Sequence, residues 1–391
     1  MQSRHLHNAV VIGAGICGAA TAYFLTRRGV NVRLLDARAP AAEATGAADG
    51  AVSVASKRPG PMMNAALSGI RLYRELAETG LLADLFKTRS TFIVAMHDDE
   101  CAVLEAHAAA LAGAGVSVEI LPGAAARQRF SALSPATRMA VEVRGEGHAI
   151  GYRIVHRLIA ASGIAVERHE PVTRLILCER DQRIRAVETA KSRIEADAVI
   201  VAAGGGSGAL LGLAHVLSPR KGQLLVTERA MSLNAGMPGA IMSGRYLMSK
   251  GSQAGPTGKP ARGIGLVVDP LTTGQFLIGG TREDGGEAGS NDIDAVARIL
   301  TDAVALVPGL ARVRLLRGFA GVRMAVADGL PLIGRLPGLE NGFVVTGFEG
   351  DGICLGPIAA QAIVALACGE APALDLTPFD PGRFDGLKVA A

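Results

Sequence analysis

The sequence predicts an α/β fold in which a parallel nucleotide-binding sheet is joined by an inserted antiparallel sheet. Three observations predict it. Gly13-Ala14-Gly15-Ile16-Cys17-Gly18 stands between a Val-Val-Ile strand and a helical run, and Asp36 ends the next apolar strand, which is the β-α-β spacing of a Rossmann-type dinucleotide site. The stretch from about Lys221 to Arg282 alternates as strands of an antiparallel sheet do, broken by a polar Gly/Pro-rich loop at Gly251 to Arg262. Finally, 50 glycines and no tryptophan among 391 residues suit a chain full of tight turns.

Taken in order, Asn8 to Ile12 reads as a strand, the glycines to about Arg28 as a helix, and Asn31 to Asp36 as the second strand. Met63, Ala66, Leu67, Ile70, Tyr73 and Leu76 recur at helical spacing between Met62 and Thr79, and form a core stripe. An Ala-rich helix from Glu100 to Ala114 leads through a mixed stretch to Gly145–His148. A helix from Arg153 and short β segments (Ala165 to Arg168, Thr173 to Cys178, Arg185 to Glu188) precede the apolar strand Ala198 to Ala203, which Gly204 to Gly206 end. A helix from Ile293 to Val307 has Asn291 and Asp292 available as caps, and a strand-turn-helix closes the chain at Gly342 to Cys368, its helix starting near Pro357. Nucleotide-binding segments return at the start, middle and end, so a discontinuous nucleotide domain is expected at 1–85, 145–215 and 310–391. A substrate or interface domain is then expected at 86–144 and 216–309.

Composition limits the function classes. With 49% apolar and 19% charged residues the chain can bury a large core. The net charge of +4 comes from scattered arginines with no basic block, and aromatics make up only 4%, so no nucleic-acid partner is expected. Five cysteines, widely spaced and never in a C-x-x-C pair, write neither a disulfide framework nor a zinc or iron-sulfur site, and no metal is expected; a reducing cytoplasm fits them best. The uncharged run Ala9 to Thr26 has the look of a signal peptide or membrane span, but its three glycines weaken a spanning helix and belong to the nucleotide pattern, so no membrane span is expected.

In the glycine motif each position has a physical duty. Gly13 permits the tight turn, Gly15 lets backbone amides reach a pyrophosphate at the helix N-terminus, and Gly18 lets helix and sheet pack closely. Asp36 can take both hydroxyls of the adenosine ribose, which favours an unphosphorylated nucleotide over NADP. Cys17 reads as a small packing residue. The motif alone leaves FAD and NAD open.

Further residues carry a resemblance. Ala44-Thr45-Gly46-Ala47-Ala48-Asp49-Gly50 resembles the small-residue loop with which the D-amino-acid oxidase, glycine oxidase and sarcosine oxidase superfamily wraps FAD. Ala198 to Ala203 with Gly204 is similar to that superfamily's second nucleotide-contact strand. Gly321-Val322-Arg323, Asp328 to Gly334, Thr346-Gly347, Gly350-Asp351-Gly352-Ile353 and Pro357, then Leu374 to Phe384, resemble its closing flavin loop and tail. The resemblance implies FAD, held by Gly13, Gly15, Ile16, Cys17, Gly18, Asp36, Ala37, Thr45 to Ala48, Val172, Ala203, Gly204, Arg323 and Gly350 to Ile353, within a glycine oxidase-like fold. Within the superfamily, Ala55-Ser56-Lys57-Arg58-Pro59-Gly60, Pro219 to Leu225 and Asp269 to Glu283 look most like catalytic β subunits of heteromeric opine oxidases, D-hydroxyproline dehydrogenase and dye-linked L-proline dehydrogenase. That likeness implies an α subunit, an iron-sulfur-bearing partner and an FMN at a subunit interface. The chain departs from the pattern at Gly205-Gly206-Ser207, Met324 and Ile150-Gly151.

The implied reaction is oxidation of the C–N bond of a small secondary-amine amino acid, opine or hydroxyproline-like, by hydride transfer to the flavin. Arg323 matches the arginine that clamps the substrate carboxylate in glycine-oxidase-like enzymes, through two parallel hydrogen bonds. Tyr246 offers a second polar contact or a structural tyrosine on a strand. Lys57 reads either as a charge near the flavin or as a solvated loop lysine, and His148 either as a group tuning the amine or as a satisfied polar histidine; the role of Asp351 stays open. A stand-alone oxidase using oxygen, a non-catalytic electron-relay subunit and, more distantly, a nicotinamide dehydrogenase are the competing readings.

Overall fold

In the computed structural model, which describes residues 6–178, 182–249, 262–285 and 289–384, the strand Asn8–Ile12 lies inside a sheet whose order is Leu332–Arg335, Gly342–Thr346, Ala198–Val201, Asn8–Ile12, Asn31–Asp36, Val166–Arg168. All neighbours pair in parallel except the first two. Helices cover this sheet, so Ala198–Val201 is buried at every position and reads as an unbroken apolar run. The same burial accounts for the apolar stretch that could pass for a membrane span. It forms the end of the strand Asn8–Ile12, the glycine turn and the helix Ile16–Thr26, which packs against the helices Gly352–Ala367 and Gly151–Ser162. Among the described residues no helix is long and apolar enough to cross a membrane.

A second, larger sheet runs Leu315–Val326, Leu217–Thr227, Phe276–Asp284, Arg262–Pro270, Gly239–Ser243, Phe86–Ala95, Met139–Ala149, Ala51–Val52, with Val118–Pro122 also on Met139–Ala149. Its neighbours are antiparallel apart from Gly239–Ser243 beside Phe86–Ala95; the pairs made within the stretch from Lys221 to Arg282 are antiparallel as expected. A small antiparallel sheet of Arg193–Glu195, Arg183–Thr189 and Val172–Cys178 completes the β structure. The Gly/Pro-rich loop expected at Gly251 to Arg262 lies, apart from Arg262, outside the described residues.

Several boundaries differ from the sequence reading for identifiable reasons. The last long helix begins at Gly352, not near Pro357, and contains the proline. Pro357 has no N–H for the carbonyl of Ile353, and the buried Tyr73 hydroxyl donates to that oxygen instead at 2.8 Å. Tyr246 sits on the short helix Gly244–Ser249, not on a strand. Leu315–Val326, expected with the nucleotide-binding segment that starts at 310, pairs along its length with Leu217–Thr227 in the large sheet. Asp292 caps the helix Ile293–Leu306 as the sequence suggests, accepting from Ala295 N–H at 3.0 Å.

Candidate functional site

The two large sheets and the loop between the first strands enclose a cavity of about 770 Å³, within the usual range for small-molecule sites. At one end lies the N-terminus of the helix Ile16–Thr26, whose first turn has no acidic residue. Gly13 takes a positive φ of 101°, and a Cβ there would overlap Ala202 backbone; a Cβ on Gly18 would overlap the carbonyl of Gly13. Thr45 reaches back from the following loop, its Oγ1 accepting the Ile16 N–H at 3.1 Å. Beyond it, the Asp36 carboxylate accepts Ala14 N–H and Arg38 N–H, both at 2.7 Å. Each oxygen thus fixes the turn and still has a lone pair directed elsewhere.

Gly13, Gly15, Ile16, Cys17, Asp36, Ala37, Thr45 to Ala48, Val172, Ala203, Gly204, Tyr246, Arg323 and Gly350 to Ile353 all line this one cavity. Gly18 does not; it is the packing glycine beneath it. The Cys17 thiol is buried, and burial pushes its pKa up to about 12, so it is not a thiolate nucleophile.

The far end carries a second group of charged residues, rich in arginine. Arg323 projects over Gly222, where a Cβ would strike its guanidinium, and its Nη1 donates to the Thr281 carbonyl at 3.4 Å. Among the described residues no carboxylate forms an ion pair with Arg323. Its neighbours differ: Arg220 and Arg282 both bind Glu349, at 3.0 and 2.7 Å, and Arg220 also binds Asp284 at 2.7 Å. Tyr246 lies half-buried with its ring on Gly265, and Arg317 sits 5.5 Å from the Phe319 ring at the cavity wall. Sequence does not pick out Arg282, Arg317 and Phe319, because nothing in a strand pattern says which alternate face meets a ligand, nor Glu349, which stands in the turn after the strand Gly342–Thr346.

Lys57 and His148 lie outside the cavity lining and are not solvated. Lys57 is 6% exposed and its Nζ is 2.5 Å from Asp351 Oδ1. Burial, the largest single influence, would lower its pKa, but the Asp351 charge and hydrogen bond together with the smaller influences of Cys354 and Tyr246 outweigh it and raise the pKa above that of a free lysine. The buried His148 donates from Nε2 to the Asp49 carbonyl at 2.9 Å and stands 3.7 Å from Asp269, which Arg89 also binds. Glu146, buried and overlooked by sequence, accepts Val54 N–H at 2.6 Å and Ala55 N–H at 2.7 Å, as well as the Ser53 hydroxyl. His107 Nε2 donates to the Ala55 carbonyl at 2.7 Å. These contacts fix the backbone at Asp49 and at Ser53 to Ala55, immediately ahead of Lys57. Among the described residues no cluster of His, Cys, Asp or Glu could hold a metal ion.

Comparison with known proteins agrees with this geometry. The DAO family, described as FAD dependent oxidoreductase, matches residues 8–366. Glycine oxidase of Pseudomonas putida is 27% identical over 390 residues, covering 96% of this chain and 98% of its own. Hydrogen cyanide synthase subunit HcnC of Pseudomonas aeruginosa is 25% identical, covering 98% of both chains. The crystal structure of glycine oxidase from Geobacillus kaustophilus superposes with a TM-score of 0.84 at 22% identity, over 98% of this chain and 100% of that one.

Proposed function

The chain belongs to the DAO family of FAD-dependent oxidoreductases, and from that premise we propose that it oxidises the C–N bond of a small secondary-amine amino acid, opine or hydroxyproline-like, as the β subunit of a heteromeric dehydrogenase. The observation that carries the substrate reading is Arg323, a cation without a carboxylate partner among the described residues, facing the same cavity as the dinucleotide loop.

The cavity residues fit FAD. The turn at Gly13 and Gly15 opens the N-terminus of Ile16–Thr26 toward the cavity, where a pyrophosphate would be received by backbone amides. Asp36 has lone pairs left for ribose hydroxyls, and Gly350 and Gly352 would let the closing loop approach the ring system at the other end. When bound, FAD supplies the two-electron acceptor for the hydride of the substrate carbon. Arg323 would bind the substrate carboxylate through two parallel N–H donors, which orients the carbon beside the amine. Tyr246 would give a second polar contact, while Leu224, Val267 and Phe319 supply an apolar wall that favours the neutral amine, whose lone pair must be free as the C=N bond forms.

Assembly follows the same reading: an α subunit and an iron-sulfur-bearing partner would take the electrons, with an FMN at the interface. HcnC is itself named as a subunit, which supports a multi-chain assembly. A stand-alone amino-acid oxidase using oxygen is the second reading, favoured by the full-length likeness to glycine oxidase. The nucleotide domain is proposed at 1–85, 145–215 and 310–391 less the strand Leu315–Val326, and cysteines that form no disulfide among the described residues fit a reducing cytoplasm. The test is turnover of hydroxyprolines, proline, opines, sarcosine and glycine with a redox dye and, separately, with oxygen. Dye reduction by a secondary amine without peroxide supports the dehydrogenase; peroxide from the isolated chain supports the oxidase instead.

A further inference from the structure

Asp351 occupies the N-cap of the helix Gly352–Ala367, a position where an aspartate ordinarily accepts the N–H groups of its own first turn. It does not do so here, and its carboxylate is held instead by Lys57. The lysine comes from a segment fixed by Glu146, His107 and His148, so its ammonium is delivered to one place. Asp351 itself lines the cavity, at the end that also holds Arg323 and Tyr246. A carboxylate thus stands where, on the function proposed above, negative charge must accumulate. With FAD bound, the cofactor would accept the hydride of the substrate carbon with both its electrons while the nitrogen lone pair closes the C=N bond to an iminium, and the negative charge gained in that reduction would have to be tolerated at this end of the cavity.

We propose that Lys57 is a positioning residue for this reaction: by binding Asp351 it neutralises the carboxylate and turns it away from the first turn of Gly352–Ala367, leaving that end of the cavity able to accept negative charge. Without the ammonium, the half-buried Asp351 carboxylate would oppose each added electron pair by like-charge repulsion, and the same opposition would apply to any anion drawn to the ring. The inference rests on FAD occupying the cavity and not on the identity of the amine.

Sulfite, a small anion that bleaches the visible band of flavoproteins able to accept negative charge at the ring, is a suitable probe, together with the midpoint potential read against reference dyes. Wild type, Lys57→Met, Asp351→Asn and the double variant are compared, each loaded with FAD. Lys57→Met is expected to weaken sulfite binding by about tenfold or more and to shift the potential negative, the double variant to return to within about threefold of wild type, and Asp351→Asn alone to bind at least as tightly. Lys57→Met with unchanged potential and sulfite affinity, or a double variant as impaired as the single one, overturns the proposal. If Lys57→Met yields no folded protein, Asp351→Asn decides: a positive shift in potential supports the proposal and a negative shift overturns it. Neither readout involves an amine, so failure to find a substrate would count against the proposed function and leave this result standing.

Discussion

The hydroxyl of Tyr73 donates to the carbonyl of Ile353, the one acceptor that Pro357 cannot satisfy inside its own helix. Two segments 280 positions apart are joined by that bond, and Ile353 lines the cavity. Replacing Tyr73 with Phe keeps the ring in place and leaves a buried carbonyl unpartnered. The expected cost is about 1–3 kcal/mol of folding stability, read from chemical denaturation, with weaker retention of FAD.

Arg323 should separate binding from folding. Arg323→Met removes the fork that would bind the substrate carboxylate and, among the described residues, breaks no ion pair, so FAD content and stability are expected to stay near wild type. A fall in kcat/KM of about 100-fold or more is expected, and Arg323→Lys recovers only part of it because an ammonium cannot make two parallel bonds. Steady-state kinetics alongside the flavin spectrum checks both halves.

Gly18→Ala should have the opposite profile. Its methyl would strike the Gly13 carbonyl, forcing the first helix away from the turn that shapes the nucleotide end. Loss of FAD and of soluble protein is expected together, measured as the ratio of flavin to protein absorbance after purification.

The turn Pro381–Arg383 depends on pH through Asp328. Burial would raise its carboxyl, but Arg383, bound at 2.7 Å, holds it below the usual aspartate value. A carboxyl lowered in the folded state stabilises above its unfolded pKa, and that contribution disappears as pH falls through the folded value. Wild type should therefore exceed Asp328→Asn in denaturant midpoint at about pH 6, and the gap should close toward about pH 3. A gap independent of pH would show that the charge does not carry the contact.

The nucleotide end of the site was legible because its signals are local. Gly13 to Gly18 and Asp36 lie within one β-α-β unit, and their spacing alone prescribes the turn, the helix start and the strand end. The other end was not, since it is assembled from residues far apart in sequence: Lys57 meets Asp351 across 294 positions. Pro357 misled for the same reason, as a local rule for helix starts cannot anticipate a tyrosine donor from another helix. A strand stays open as one of two readings of Tyr246 because a helix of only six residues is too short to show its period. Glu146 looked like one more charged residue in a mixed stretch, and only the fold shows it accepting two backbone amides beneath the cavity.

The most direct measurement is the visible spectrum of the purified chain, followed without oxygen as secondary amines are added one at a time. A flavin band that is present at the outset and bleaches with an opine, a proline or a hydroxyproline, but not with simple carboxylates, is the predicted result. A chain that binds FAD yet keeps its band with every amine would contradict the catalytic account.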